Sequence, residues 1–211
     1  IDPSSDRTSE IIKSLCEKRK NIKAIFFSRR FGQPTAVMAG ILNCKGETCV
    51  IIDIDLQDPP ELIPMLYNKL KIGSDVVYAK RKKRKGETFI KLIISYLGYK
   101  LINKIAQVNI PRDTGDFRII TRRVIEELRR LPENHGFLRG LVAIIGFKQD
   151  EVEYERDERF SGIGKYNRFF GSMKIGLNGV IGFSSFLLTL NLLVGIVISF
   201  LSFLTALWVV I

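Results

Sequence analysis

Val50 to Glu61 reads VIIDIDLQDPPE, and this stretch decides the fold class. An apolar run that is continuous rather than alternating suits a strand covered on both faces, as in a parallel sheet. Cys49 to Ile54 is such a run, apolar until Asp53 and Asp55 enter it. Pro59 and Pro60 then open a helix, since proline is tolerated in a first turn, and the helix ends near Lys71 and Gly73. Asp75 to Ala79 is the next strand. Strand, helix and strand in this order make a βαβ rhythm.

Outward from this unit the periodicity keeps changing type. Upstream, Ile11, Ile12 and Leu15 form a helical stripe after Asp6 and Thr8, Ala24 to Phe27 is a short apolar strand, and Ala36 to Leu42 is a second helix. Downstream of Lys80 to Lys85, a stripe including Phe89, Leu92, Tyr96 and Leu101 predicts a long helix near Thr88 to Ile105. Phe117 to Ile120 reads as a strand, Arg122 to Leu131 and Phe137 to Ile145 as helices, and Val152 to Glu155 as a late edge strand. Tyr166 to Leu177 is an amphipathic basic helix. From Phe186 to Ile211 the chain is interrupted only by Ser, Thr, Asn and Gly. At about 1.5 Å per residue, a helix of that length exceeds the ~30 Å hydrocarbon core of a bilayer.

The chain has 211 residues with 33 Lys or Arg and 22 Asp or Glu, a formal net charge of +11. All of these charges precede Ile175. A charged body followed by an uncharged end argues against a wholly soluble protein, and 46% apolar content excludes intrinsic disorder. The positive excess favours anionic partners, whether nucleic acid, phosphorylated ligands or acidic lipid. No helix-turn-helix, finger or stacking-aromatic signature accompanies the basic residues, so nucleic acid is not expected. Cys16, Cys44 and Cys49 have no metal-ligand spacing and read as reduced, mostly buried small hydrophobes. His135 is the only histidine and reads as structural or solvent-facing; with no serine elbow beside it, Ser-His-Asp hydrolysis is unsupported.

Strand residues two apart project to one face, so Asp53 and Asp55 are expected to present two carboxylates together at the end of a buried strand. Like charges so placed are costly unless a cation lies between them, and hard oxygen donors favour Mg²⁺ or Mn²⁺. An isolated pair of this kind equally suits an acidic turn that only ends a strand. Location favours the first reading, because open α/β sheets bind ligands beyond the carboxyl ends of their strands.

The whole segment VIIDIDLQDPPE resembles the metal-binding segment of polyisoprenyl-phosphate glycosyltransferases of glycosyltransferase family 2. That group includes dolichol-phosphate mannose synthases and undecaprenyl-phosphate glucosyltransferases. The similarity continues in order through IDPSSDRT from Ile1, FSRRFGQPTAVMAGI from Phe27, DTGDFRIITRRV from Asp113, FLRGLVAIIGF from Phe137 and YERDERFSGIGKY from Tyr154. It implies a GT-A type α/β domain, a Rossmann-like mostly parallel sheet flanked by helices, over residues 1–165. An amphipathic interfacial helix and connector over 166–185 and a transmembrane helix over 186–211 would follow.

The resemblance also implies roles. Asp53, Asp55 and Gln57 would hold Mg²⁺ or Mn²⁺ with the donor pyrophosphate, and Asp2 would contact the nucleotide. Asp116 matches the position assigned as catalytic base. Arg118, Arg139, Arg156, Arg159, Ser161 and Lys165 are candidates for gripping donor or acceptor phosphates, although each cation taken alone also fits a solvated surface charge. The run Lys80, Arg81, Lys82, Lys83, Arg84 and Lys85 suits a solvated loop; near an anionic leaflet it suits a loop that recruits a lipid phosphate, at about 1 kcal/mol per cation.

The implied reaction moves one sugar from a UDP- or GDP-sugar to a polyprenyl phosphate with inversion. Lys165, Arg168 and Lys174 before the span put the catalytic domain on the cytoplasmic face of the cell membrane. A homo-oligomer is compatible with the sequence. Family members carry strands before the position of Ile1 and a second span after that of Ile211, so the expectation is a piece cut at both ends and inactive alone. A noncatalytic membrane-anchored relative and a fragment of a processive polysaccharide synthase are the alternative readings. The QxxRW-type motif and multiple spans expected of such a synthase are not in the sequence.

Overall fold

The computed structural model describes residues 1–82, 114–131, 138–155 and 186–210. The chain divides into two units, Ile1–Gly86 with Pro111–Gly164 and Glu87–Ile110 with Lys165–Ile211. In the first unit, helices α1 (Thr8–Lys18) and α2 (Gln33–Asn43) precede strand β1 (Thr48–Ile51). A short 3-10 turn, Pro60–Leu62, leads into α3 (Ile63–Lys71) and β2 (Val76–Arg81). Then come β3 (Thr114–Thr121), α4 (Arg122–Arg130), α5 (Leu138–Ile145) and β4 (Gln149–Tyr154).

The four strands form one sheet in the order β1-β3-β2-β4. Strand β3 is antiparallel to both neighbours, while β2 and β4 are parallel. The βαβ rhythm survives, because β1 and β2 run the same way, but β3 occupies the place between them. The α/β architecture of a sheet flanked by helices is therefore as the sequence implied. The sheet is mixed, and hydrophobic pattern could not reveal this, since it reads alike for a strand running up or down.

Side-chain alternation assigns each face its partners. On one face Val77, Ala79, Phe117, Ile119, Val152 and Tyr154 pack against Leu62, Leu66 and Leu70, which the helical repeat of α3 directs inward. The Lys69 ammonium reaches both oxygens of Asp150 at 2.9 Å and closes the rim of this layer. On the other face lie Val76, Tyr78, Arg118 and Ile120, with α5 beside them: Arg139 reaches Asp116, and Gln149 donates to the Val142 carbonyl at 3.4 Å. Helix α4 buries Val124, Ile125 and Leu128, and it packs on α5 and α2. Its arginines cap α2: Arg129 donates to the Leu42 carbonyl at 2.7 Å and Arg122 to that of Cys44 at 3.0 Å.

Four expectations change. Ala24 to Phe27 is not a regular strand; Ile1 donates to the Ile25 carbonyl and accepts from the Phe27 amide, a single bridge flanking Phe26. Strand β1 is an edge of the described sheet and stops at Ile51, so Asp53 and Asp55 lie beyond it in a turn and not on the strand itself. The basic run does not begin in a loop, because Lys80 and Arg81 belong to β2. The cysteines are free and half-buried rather than mostly buried. Burial pushes the Cys49 thiol up to about 12, which keeps it protonated and unreactive.

The described part of the second unit is α6 (Phe186–Val210), 25 residues without a charge. Its segment Thr189–Val209 is long and apolar enough to cross a membrane, and its side chains are exposed rather than buried in a protein core. Thr205 returns its hydroxyl to the Ser202 carbonyl at 2.8 Å, satisfying a polar group within the helix as an apolar medium demands. The predicted helices at 88–105 and 166–177, His135, Lys83, Arg84, Lys85, Arg156, Arg159, Ser161 and Lys165 lie outside the described residues.

Candidate active site

The antiparallel ladder between β1 and β3 ends with Ile51 opposite Arg118. Two residues beyond the end of β1 comes Asp53, and two residues earlier on β3 comes Asp116. Both acidic segments thus leave the same end of one ladder, the carboxyl end of β1. Beyond Ile51 the chain turns sharply. Asp55 accepts a hydrogen bond from the Gln57 backbone amide at 3.2 Å, and Leu56 between them has φ +60°, a left-handed conformation uncommon for a leucine. Ile54 at the tip is 95% exposed. Asp53 accepts from the Gln33 side-chain amide at 2.9 Å, which joins the turn to the start of α2.

Asp2 is a brace for that same helix start. Its two carboxylate oxygens accept the Phe31 and Gly32 amides at 3.0 and 2.9 Å, and the Phe31 bond foremost holds its pKa below the usual carboxylate value. From Asp2 through Gly32 to Gln33 and Asp53, a chain of contacts fixes the turn from the amino-terminal side.

Asp116 is placed by an irregularity. Tyr78 pairs with Arg118 and Lys80 with Thr114, so Gly115, Asp116 and Phe117 stand opposite Ala79 alone. Such a bulge re-aims side chains, commonly at strand ends that carry function. One carboxylate oxygen of Asp116 accepts from Arg118 Nη2 at 3.3 Å and from Arg139 Nε at 3.2 Å. Arg118 is 0% exposed. It also donates to the Asp116 and Gly115 carbonyls at 3.1 and 3.2 Å, and its guanidinium lies 5.0 Å over the Tyr78 ring. Burial lowers the Arg118 pKa, opposed by Tyr78 and Asp116. Its Nη1 is buried with no acceptor among the described residues. A buried, still cationic donor of this kind suits an anionic ligand oxygen.

Asp53, Asp55 and the Gln57 amide are hard donors on one turn. Among the described residues no three His, Cys, Asp or Glu gather as a metal group, here or elsewhere, so the protein offers at most the two carboxylates of this turn. Mg²⁺ ordinarily takes one or two carboxylates and completes its shell with water and phosphate, so these residues fit Mg²⁺ or Mn²⁺ with a phosphorylated ligand.

The glycosyl transferase family 2 profile matches residues 1–129. The chain belongs to glycosyltransferase family 2. A glycosyltransferase of Bacillus subtilis, YkcC, is 46% identical over 205 residues, covering 96% of this chain and 62% of its own length. The bactoprenol glucosyl transferase of Shigella phage SfX is 37% identical over 210 residues, 100% of this chain and 68% of its own. A prophage bactoprenol glucosyl transferase homologue of Escherichia coli K12 is 36% identical over 209 residues, 99% and 68% respectively. The chain spans under two thirds of the first of these relatives. Among solved structures, the bifunctional IspDF of Campylobacter jejuni aligns over 68% of this chain and 35% of its own at a TM-score of 0.42 and 15% identity.

In this family-2 domain Asp53, Asp55 and Asp116 lie toward one end of the β1–β3 ladder, and two of the described cations have other partners. Lys80 reaches Glu151 on β4 at 2.6 Å, a cross-strand ion pair. Arg81 lies under the bulge, where its Nη2 would be 2.9 Å from a Cβ on residue 115. Of the described cations in that run, Lys82 is the exposed one. Gln33, Tyr78, Asp58 and Tyr154 were not singled out from sequence. Asp58 stands inside the quoted segment and Tyr154 on the inward alternation of β4, but their contact spans 96 residues and has no local signal.

Proposed function

We propose that this chain is the catalytic part of an inverting glycosyltransferase that moves a sugar from a UDP- or GDP-sugar to a polyprenyl phosphate at the cytoplasmic face of the cell membrane. The observation that carries the reading is the convergence of the turn Asp53–Gln57 and the Asp116–Arg118–Arg139 cluster at one end of the β1–β3 ladder. The phage relative is a bactoprenol glucosyl transferase and the prophage relative a homologue of one, which supports a polyprenyl acceptor. The candidate span supports a lipid one.

Asp53, Asp55 and Gln57 are the residues that would hold Mg²⁺ or Mn²⁺, whose chemistry is to stabilise the charge growing on a departing diphosphate. Arg118 and Arg139 attract and align the acceptor phosphate. That phosphate has a second pKa of about 6, so at neutral pH most of it is already a dianion able to attack without losing a proton. A bare carboxylate beside it would repel it. Asp116, shared between two guanidinium groups, instead orients Arg118 and Arg139. In-line attack opposite the leaving nucleotide inverts the anomeric carbon and needs no covalent intermediate. Lys82 and the cations after it in sequence favour an anionic leaflet.

The test is to incubate membranes carrying the protein with labelled nucleotide sugars and polyprenyl phosphate. Metal-dependent label in the lipid extract, with the opposite anomeric configuration, is expected. Unchanged transfer in excess EDTA would remove the metal role, and label that never enters lipid would remove the acceptor.

A further inference from the structure

Asp58 follows the turn Asp53–Gln57 directly and is 2% exposed, a buried carboxylate with no place in the proposed chemistry. Tyr154, the last residue of β4 and 6% exposed, donates its hydroxyl to Asp58 Oδ1. Its ring stands edge-on to Phe117 at 6.2 Å, and its hydroxyl also interacts with Arg81. Arg81 has a buried Nε with no acceptor among the described residues. Its Nη2 fills the space beneath Gly115, where any Cβ would collide with it at 2.9 Å. One phenol therefore touches, on one side, the residue ending the carboxylate turn, and on the other, the arginine underlying the bulge that carries Asp116.

We infer that Tyr154 is a positioning residue, holding the metal-binding turn through Asp58 and the Asp116 bulge through Arg81, so that the two halves of the site keep a fixed spacing. This rests on the functional reading above. Side chains of a site are held in productive geometry only if the groups behind them are themselves fixed, and a hydrogen bond to a buried charge is the stronger kind. Gly115 serves the same end: a side chain there would have to displace the Arg81 guanidinium from beneath the bulge.

Mn²⁺ binding to the full chain in detergent micelles, followed by electron paramagnetic resonance, gives a readout apart from activity. Tyr154→Phe removes one oxygen and should weaken Mn²⁺ binding about tenfold, the scale of one charge-assisted hydrogen bond, and lower kcat more than it raises KM for polyprenyl phosphate. Asp58→Asn should weaken Mn²⁺ binding as well, and the double variant should be no worse than the poorer single one. Gly115→Ala should keep Mn²⁺ affinity while lowering kcat. A folded Tyr154→Phe with Mn²⁺ affinity within about twofold of wild type would overturn the inference; if that variant does not fold, the same outcome for Asp58→Asn would do so. Failure of the wild type to bind Mn²⁺ or transfer sugar would overturn the functional reading instead, and this inference with it.

Discussion

The two faces of the sheet are built from the same strands to opposite ends. The face toward α3 is apolar across its middle, with Leu66, Val77, Phe117 and Ile119 essentially inaccessible to solvent. The opposite face holds a fully buried arginine in its middle, flanked across the strands by Ile51 and Tyr78. Burying a cation costs several kcal/mol unless its partners are well arranged, and replacing a buried ion pair by apolar groups is often neutral or stabilising. Arg118 is therefore poor evidence of stability and good evidence of function. Both faces bury apolar side chains, and the face opposite α3 also carries a charge that the fold alone would not require.

The largest effect is expected at the turn that follows β1. Asp53→Asn or Asp55→Asn keeps shape and removes charge, and transfer should fall on the order of 10³-fold, several kcal/mol of transition-state stabilisation. The thermal midpoint should barely move. Unfolding in parallel with the lost activity would make these residues structural.

Arg118→Met should separate the faces most cleanly. Transfer should fall about 10²-fold or more as the phosphate loses a buried donor. Stability in denaturant should change little, because Asp116 is partly exposed and keeps Arg139 as its partner. A large destabilisation would mean that Arg118 holds the fold after all.

The converse substitution lies on the other face. Leu66→Ala should cost about 2–5 kcal/mol in chemical denaturation through the cavity it leaves, while the folded fraction keeps its turnover. A change in kcat at full folding would show that the middle of the α3 face, and not only its Tyr154 edge, reaches into catalysis.

The smallest expected effect concerns Tyr154, whose phenol is pushed up to about 12, first by burial and then by the hydrogen bond to Asp58. A folded-state pKa above the unfolded value near 10 favours the native state at lower pH, and that contribution is lost as pH rises through about 12. In ultraviolet titration of the folded chain, Tyr154→Phe should remove one late-ionising tyrosine. Loss of an early one would place the hydroxyl in solvent.

Elements with strong periodicity were legible in the sequence: α2, α3, α4, α5 and the alternation of β4 all stand within a few residues of their expected bounds. The direction of β3 was not, because Phe117 to Ile120 buries the same side chains whichever way it runs. The bulge at Gly115–Phe117 was also hidden, since it is a property of the pairing between β2 and β3 and not of either strand alone. The acidic turn was located by its residues but misplaced onto the strand: the apolar run continues to Ile54, yet pairing stops at Ile51. Lys80 and Arg81 read as part of a loop because like charges dominate the local pattern, whereas Glu151, Tyr154 and Gly115 supply their company from far along the chain.

Asp116 works by holding charge in place, orienting Arg118 and Arg139 rather than taking a proton. Turnover of Asp116→Asn relative to wild type, measured from pH 6 to 9 with polyprenyl phosphate saturating, tests it directly. The expected loss is about 10²-fold, stays level above pH 7 and does not add to that of Arg118→Ala. A loss that shrinks as rising pH deprotonates the acceptor would contradict it and make Asp116 the base; wild-type turnover would remove Asp116 from the chemistry altogether.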